Sequence, residues 1–279
     1  MKNAHDSPNS GENEYTMTSA NEPILISIEN SIATLTVNRP DARNAMSIEI
    51  LEAFHSAVDK LQSADAHVLV ITGAGRAFCA GMDLKAVLVE LSGDASIGKQ
   101  LLSSLAELTL KIRALPMVTV ASINGAAIGG GCGLACVCDV AITHSDAKLG
   151  FPEVDLGLCP AVIAPWVVKK LGAGVARHAM LMGGIMSGEQ AHEIGLVDAL
   201  APSREQLPEL TNEISERLAS GGAKALAATK DLLNTIDGSI DPTLVRKGAE
   251  LSASVLATPE AQAALSARMN PNKEPKVSS

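Results

Sequence analysis

The apolar and polar positions divide the chain into short strands and amphipathic helices. Ile24–Glu29 and Ile32–Val37 are two β-prone runs separated by Asn30-Ser31, and they predict a hairpin. Ser47 stands before Ile48, Leu51, Phe54, Val58 and Leu61, one apolar stripe at helical spacing, so a capped helix is predicted to about Gln62. His67–Thr72 is a nearly continuous apolar run, the pattern of a strand buried on both faces. A Gly- and Ala-rich loop, Gly73 to Lys85, precedes a long helix from about Ser96 to Leu115 that Pro116 stops. The strand Met117–Ile123 then runs into a glycine cluster and a small-residue helix, Cys132 to Cys138.

Val140–Thr143 and Lys148–Gly150 read as short strands. Helical periodicity governs the rest, at about 162–171, 175–182, 187–193, 204–219, 223–235, 241–257 and 259–269. Strand–helix alternation in the first half and helices in the last third predict an α/β fold. Its parallel-rich sheet is flanked by helices, with an α-helical C-terminal extension. No internal repeat is visible. The expected organisation is a disordered tail over 1–22, a core over 23–200, a helical region over 201–270 and a second tail over 271–279.

Composition narrows the function classes. The 279 residues suffice for a sizeable core. With aromatics at 2% that core is aliphatic. No apolar run approaches the ~20 residues that span a bilayer. The net charge of −9 argues against nucleic acid and anionic membranes as partners. Five cysteines (Cys79, Cys132, Cys136, Cys138 and Cys159) occupy mostly small or apolar surroundings, and no second ligand pair completes a metal site, so they read as buried thiols. The odd count and the acid-bearing, Arg-free first 22 residues fit a reducing, cytoplasmic setting.

The chemistry concentrates in glycines. Gly129-Gly130-Gly131 opens a helix directly after a strand, which leaves N–H groups bare with no Cβ to block an approaching ligand. Gly73-Ala74-Gly75 lacks the spacing of a dinucleotide fingerprint, His192-Glu193 lacks a second histidine at metalloprotease spacing, and no G-x-S-x-G elbow occurs. Three blocks remain, each after a buried-type strand: Arg76 to Lys85, the glycine helix, and Leu149 to Leu158 with Glu153. Two glycine-bearing turns and a carboxylate suit enolate chemistry, in which N–H donors hold a developing oxyanion while an acid/base group handles the α-proton. Asp155 and Asp139 read as turn-fixing acids, His67 and His178 as structural or exposed, and Trp166 as core or pocket wall.

These blocks resemble the crotonase superfamily, the enoyl-CoA hydratase/isomerase family. The resemblance rests on Ile71-Thr72-Gly73 through Arg76-Ala77-Phe78-Cys79-Ala80-Gly81-Met82-Asp83-Leu84-Lys85, on Asn124-Gly125 through Gly131 with Cys138-Asp139, and on Pro152-Glu153 with Leu156-Gly157. Arg39-Pro40 with Asn44-Ala45 and the stretch Ala191 to Val197 extend it over about residues 24 to 270. It implies a spiral ββα core with a C-terminal helical trimerisation region, assembled as a homotrimer or dimer of trimers. It also implies an acyl-CoA thioester substrate and no metal or redox cofactor. The oxyanion hole would be the N–H groups of Met82 and Gly130, with Glu153 as acid/base. Ala42, Ala80, Met82, Asp83, Leu84, Lys85, Gly130 and Gly133 would lie along the substrate. Lys85 reads equally as a surface lysine or a CoA phosphate contact.

One position departs from the family pattern. Family hydratases commonly carry a second glutamate two residues after the glycine triplet, where this chain has Gly133. The expectation is a gap with room for water or a bulkier acyl group. A lone Glu153 fits hydration, double-bond isomerisation or an assisted decarboxylation. The run from Leu156 to Val168, with Gly-Gly-Gly-Cys-Gly-Leu, resembles methylglutaconyl-CoA and carboxygeranoyl-CoA hydratases and favours hydration. A non-catalytic acyl-CoA-binding or RNA-binding scaffold is the rival outside enzymes.

Overall fold

A computed structural model describes residues 15–16, 21–83, 96–239 and 241–269. The expected tails, apart from residues 15–16 and 21–22, and both Leu84 and Lys85 lie outside the described residues. The strands are β1 (Tyr15–Thr16), β2 (Ile24–Glu29), β3 (Ile32–Val37), β4 (Val68–Gly73), β5 (Ala77–Cys79), β6 (Val118–Ile123), β7 (Ala126–Ile128), β8 (Val140–His144), β9 (Lys148–Gly150), β10 (Ile185–Ser187) and β11 (Ala199–Ala201). The helices are α1 (Ile48–Leu61), α2 (Ser96–Arg113), α3 (Gly130–Val137), α4 (Ala164–Met182), α5 (Gly188–Glu193), α6 (Leu207–Ala219), α7 (Ala223–Asp237), α8 (Pro242–Leu256) and α9 (Pro259–Met269).

Two sheets result. The larger has the order β1-β2-β3-β4-β6-β8-β11 and is parallel from β3 onward. The smaller has the order β10-β9-β7-β5, with β5, β7 and β9 parallel. The chain alternates between them: β4, β6 and β8 belong to the large sheet, and each leads within a few residues to β5, β7 or β9 of the small one. This winding is the expected ββα spiral. Asn124 ties successive turns together, since its Nδ2 donates to Gly73 O at 2.7 Å and to Gly75 O at 3.1 Å.

The hairpin β2–β3, strand β4 and helix α1 stand where periodicity puts them, and the Ser47 side chain accepts from Ile50 N–H as the predicted cap. In the small sheet β9 is the expected strand Lys148–Gly150, and β5, β7 and β10 are the main additions. Three-residue strands hold too few positions for a period-2 pattern to emerge, and β5 carries a register irregularity between Ala77 and Cys79. The two helices expected at 162–171 and 175–182 are both present within α4, separated by a kink at Gly172, where φ is 74° and ψ 160°. Here glycine adopts a backbone shape that other residues rarely take, and the chain leaves the helical conformation at the kink.

The core is aliphatic, as composition requires. It is centred on residues such as Leu35, Leu51, Val58, Leu69 and Ile71, with Phe54, Phe78, Phe151 and Trp166 as its few rings. Trp166 belongs to this core and donates from Nε1 to Thr109 Oγ1 at 3.1 Å. The C-terminal helices join the same core through Val245, Ala249, Leu256, Ala261 and Leu265. A buried polar knot holds α7 to the sheet. Lys230 Nζ lies 2.7 Å from Asp139 Oδ2 and donates to Met117 O at 2.9 Å, while Asp139 also accepts from Thr119 N–H and pairs with Arg113. Burial pushes the Lys230 ammonium down from its ordinary value, and Asp139 opposes that shift. No helix among the described residues is long and apolar enough to cross a membrane.

Candidate active site

The three sequence blocks meet because β5, β7 and β9 are parallel neighbours. Each delivers its block from its C-terminal end: Ala80-Gly81-Met82 after β5, Gly129-Gly130 after β7, and Pro152-Glu153 after β9. Ligand sites of α/β sheets form outside such strand ends. A cavity of about 100 Å³ opens there. Ala80, Met82, Gly130 and Glu153 all border it, together with Gly81 and Gly129.

The two backbone donors are left bare for different reasons. Met82 faces Met46 in an isolated parallel bridge whose bonds run from Met46 N–H to Gly81 O, at 2.8 Å, and from Asp83 N–H to Met46 O, at 3.0 Å. Alternation along a bridged segment turns the Met82 N–H the other way. Gly130 is the first residue of α3, so its N–H has no partner one turn earlier in the helix. The two turns touch, since a Cβ built on Gly81 would stand 3.7 Å from the Gly130 nitrogen.

Asn44, fully buried, braces the first turn. It accepts from Arg39 N–H at 2.9 Å and donates to Ala74 O and Ala77 O at 2.9 and 2.7 Å. Ala80 N–H in turn donates to Arg43 O at 3.0 Å.

Glu153 begins a short 3₁₀ turn, Val154–Leu156, that Pro152 introduces. The residue as a whole is half-buried, yet its Oε2 is buried and has no hydrogen-bond partner among the described residues. Burial pushes its pKa up to about 7 from 4.5. A carboxyl group in that range can both take and return a proton near neutrality. Its Oε1 lies over Gly129, where a Cβ would come within 2.6 Å of it. The φ of 55° and ψ of −121° at Gly129 make glycine necessary there twice over.

The remaining expected site residues have other surroundings. Asp83 is ion-paired with Arg39 at 2.8 Å, which fixes the outer end of the Met82 turn. Ala42 closes the 3₁₀ turn Pro40–Ala42, half-buried and away from the cavity lining. Asp155 accepts from Gly184 N–H at 2.8 Å, a turn-fixing contact.

Gly133 requires a correction. It is buried, and no gap stands beside it: a Cβ there would come within 2.5 Å of Ile163 Cβ and overlap Ile163 Cγ2. Ile163 fills the space expected for water or extra acyl bulk, and it is Ile163 that lines the cavity.

Sequence reasoning missed most of the cavity wall. Leu102 and Leu105 come from α2, Ser252 and Leu256 from α8, and Met46 from the segment before α1. Each of these leucines sits on an apolar helical stripe, and a stripe that faces a cavity reads the same as one that faces the core.

A desolvated carboxyl beside two backbone N–H groups, at the strand ends of a spiral α/β fold, is an arrangement that can hold a developing oxyanion and move a proton. The sequence profile of the enoyl-CoA hydratase/isomerase family matches residues 27–269, and the chain belongs to that family. A crotonyl-CoA hydratase of Syntrophomonas wolfei is 34% identical over 219 residues, covering 77% of this chain and 82% of the relative. An enoyl-CoA hydratase of Alternaria alternata is 34% identical over 209 residues, 74% of this chain and 68% of the relative. The crystal structure of an enoyl-CoA hydratase from Bacillus halodurans superposes with a TM-score of 0.81 at 23% identity, over 88% of this chain and all of that one, a likeness of fold. The chain is thus an enzyme of the enoyl-CoA hydratase/isomerase type.

Proposed function

We propose that the enzyme adds water across the 2,3 double bond of an acyl-CoA thioester, with Glu153 as its single acid/base. The observation that carries this reading is the desolvated Glu153 carboxyl at the cavity, whose Oε2 has no hydrogen-bond partner among the described residues and whose pKa burial raises to about 7. The ionised carboxylate takes a proton from water as the water oxygen bonds to C3. The π electrons move through C2 to the thioester oxygen, where the Met82 and Gly130 N–H groups meet the negative charge. The carboxylic acid then returns its proton to C2 as the enolate collapses. Each such donor is typically worth ~3–4 kcal/mol in the transition state. The reaction is redox-neutral and asks for no metal or cofactor beyond the CoA of the substrate. The names of the relatives from Syntrophomonas wolfei and Alternaria alternata support it.

Isomerisation of the double bond is the second reading, and Ile163 against Gly133 favours it, because that contact leaves no place for a second carboxylate to hold water. Incubating the enzyme with 2-enoyl-CoA and 3-enoyl-CoA in deuterated water separates the two. Hydration gives a 3-hydroxyacyl product, whereas isomerisation alone gives shifted, labelled enoyl-CoA. The assembly proposed is a homotrimer or dimer of trimers, supported by the apolar side chains that α7 and α8 expose, among them Leu232, Ile236 and Leu244.

A further inference from the structure

The segment between the Glu153 turn and α4, residues 158–163, is neither helix nor strand, yet it supplies Leu158, Cys159, Pro160, Val162 and Ile163 to the cavity wall. It is tied to the Glu153 turn at its first residue, where Leu158 N–H donates to Glu153 O at 2.9 Å. A buried segment without a ladder of its own needs its backbone groups satisfied by its neighbours.

The neighbour is α8. Gly248, Ser252 and Leu256 stand four residues apart on that helix and so share one face. Gly248 lets the segment come against the helix, since a Cβ there would lie 2.2 Å from Ala161 O. One turn on, the buried Ser252 hydroxyl donates to Cys159 O at 2.8 Å and accepts from Ala161 N–H at 3.1 Å. Its single proton and a lone pair are both committed to the backbone of the segment. Leu256 carries the same face on to the cavity. Helix α9 reaches the Glu153 turn as well: a Cβ on Gly157, which caps Val154–Leu156 at φ 68°, would stand 3.7 Å from Ala264 Cβ.

We propose that Ser252 is a positioning residue for the reaction: its hydroxyl fastens segment 158–163, and through Leu158 the Glu153 turn, to the C-terminal helical region, so that the placing of the Glu153 carboxyl depends on the docking of α8. The inference rests on the hydration reading above, with Glu153 as acid/base. Ser252→Ala leaves a buried carbonyl and a buried N–H without their partner, and they draw water into the cavity wall or shift the segment. Either change reaches Glu153, whose pKa is raised by burial. Two further titratable groups lie near it, Cys132 on α3 and Cys159 in the segment, and burial keeps both thiols neutral. The acid limb of the rate against pH therefore reports the surroundings of Glu153.

The test is the pH profile of crotonyl-CoA hydration by the full-length enzyme and by its Ser252→Ala and Ser252→Thr variants, each first shown by urea unfolding to be folded under the assay conditions. Ser252→Ala is expected to lose about tenfold or more in kcat through misplacement of the carboxyl, with its acid limb moved down towards the ordinary carboxylate range. Ser252→Thr keeps the hydroxyl and is expected to restore both. A Ser252→Ala enzyme whose limb stays where the parent's lies overturns the inference. So does a Ser252→Thr enzyme as impaired as Ser252→Ala, which would assign the effect to shape rather than to the hydroxyl. If Ser252→Ala does not fold, Ser252→Cys, with a weak donor in its place, is read against the same two outcomes. A parent that does not hydrate crotonyl-CoA, or does so with no acid limb near about 7, contradicts the hydration reading itself, and the inference falls with it.

Discussion

The carboxyl of Glu153 rests directly on the Cα of Gly129, so closely that a Cβ at position 129 would come 2.6 Å from Oε1. The acid/base group and the turn that presents the Gly130 N–H are therefore one packed unit.

Gly129→Ala breaks that unit. The added methyl collides with Oε1 and forces a non-glycine residue into φ 55°, ψ −121°. The expected outcome is a loss of about 1–3 kcal/mol of stability and at least about a hundredfold fall in kcat. Urea unfolding and steady-state kinetics on the same preparation check both.

Glu153 makes stability depend on pH in an unusual direction. Its folded pKa, raised to about 7, exceeds the ordinary 4.5, so between those values the folded state holds a proton that the unfolded state releases. Its contribution to stability is fully present below about 4.5 and is lost as pH rises through about 7. Glu153→Gln keeps the shape without the buried charge. The variant is expected to be more stable than the parent at pH 8, by on the order of 3 kcal/mol, with the gap closing towards pH 5. Unfolding midpoints across that range measure it, and a gap that widens on acidification would refute the burial of this carboxyl.

Gly133 and Ile163 behave as a coupled pair. Gly133→Ala alone is expected to destabilise by about 1–3 kcal/mol through overpacking against Ile163. Combining it with Ile163→Ala relieves the overlap, so the two effects are non-additive. A double-mutant cycle in urea tests this, and additive values would show that the side chains do not meet.

The knot beneath α7 is predicted to be costly to break from one side. Asp139→Ala strands the buried Lys230 ammonium and is expected to lose about 3–5 kcal/mol, whereas Asp139→Ala with Lys230→Met recovers most of it. Thermal unfolding of the two variants compares them.

Much of this was legible in the sequence, for identifiable reasons. The hairpin β2–β3, helices α1 and α2, and the capped α5 and α8 carry periodicity over a full element or a polar cap, signals that are local. That Glu153, Met82 and Gly130 border one cavity was legible because motif spacing survives in sequence even when the geometry does not. Of the small sheet only β9 was legible; β5, β7 and β10 were not, because each is three residues long and is defined by its neighbours in space. The state of Gly133 was not legible either. An absent side chain reads as a hole until the residue that fills it is known, and Ile163 lies 30 positions away.

The measurement that bears most directly on Glu153 as the single acid/base is turnover of crotonyl-CoA by Glu153→Gln, alongside titration with butanoyl-CoA. The account predicts that kcat falls by about a thousandfold or more while butanoyl-CoA binds within a few-fold of the parent. Hydration by the variant within tenfold of the parent rate would contradict it.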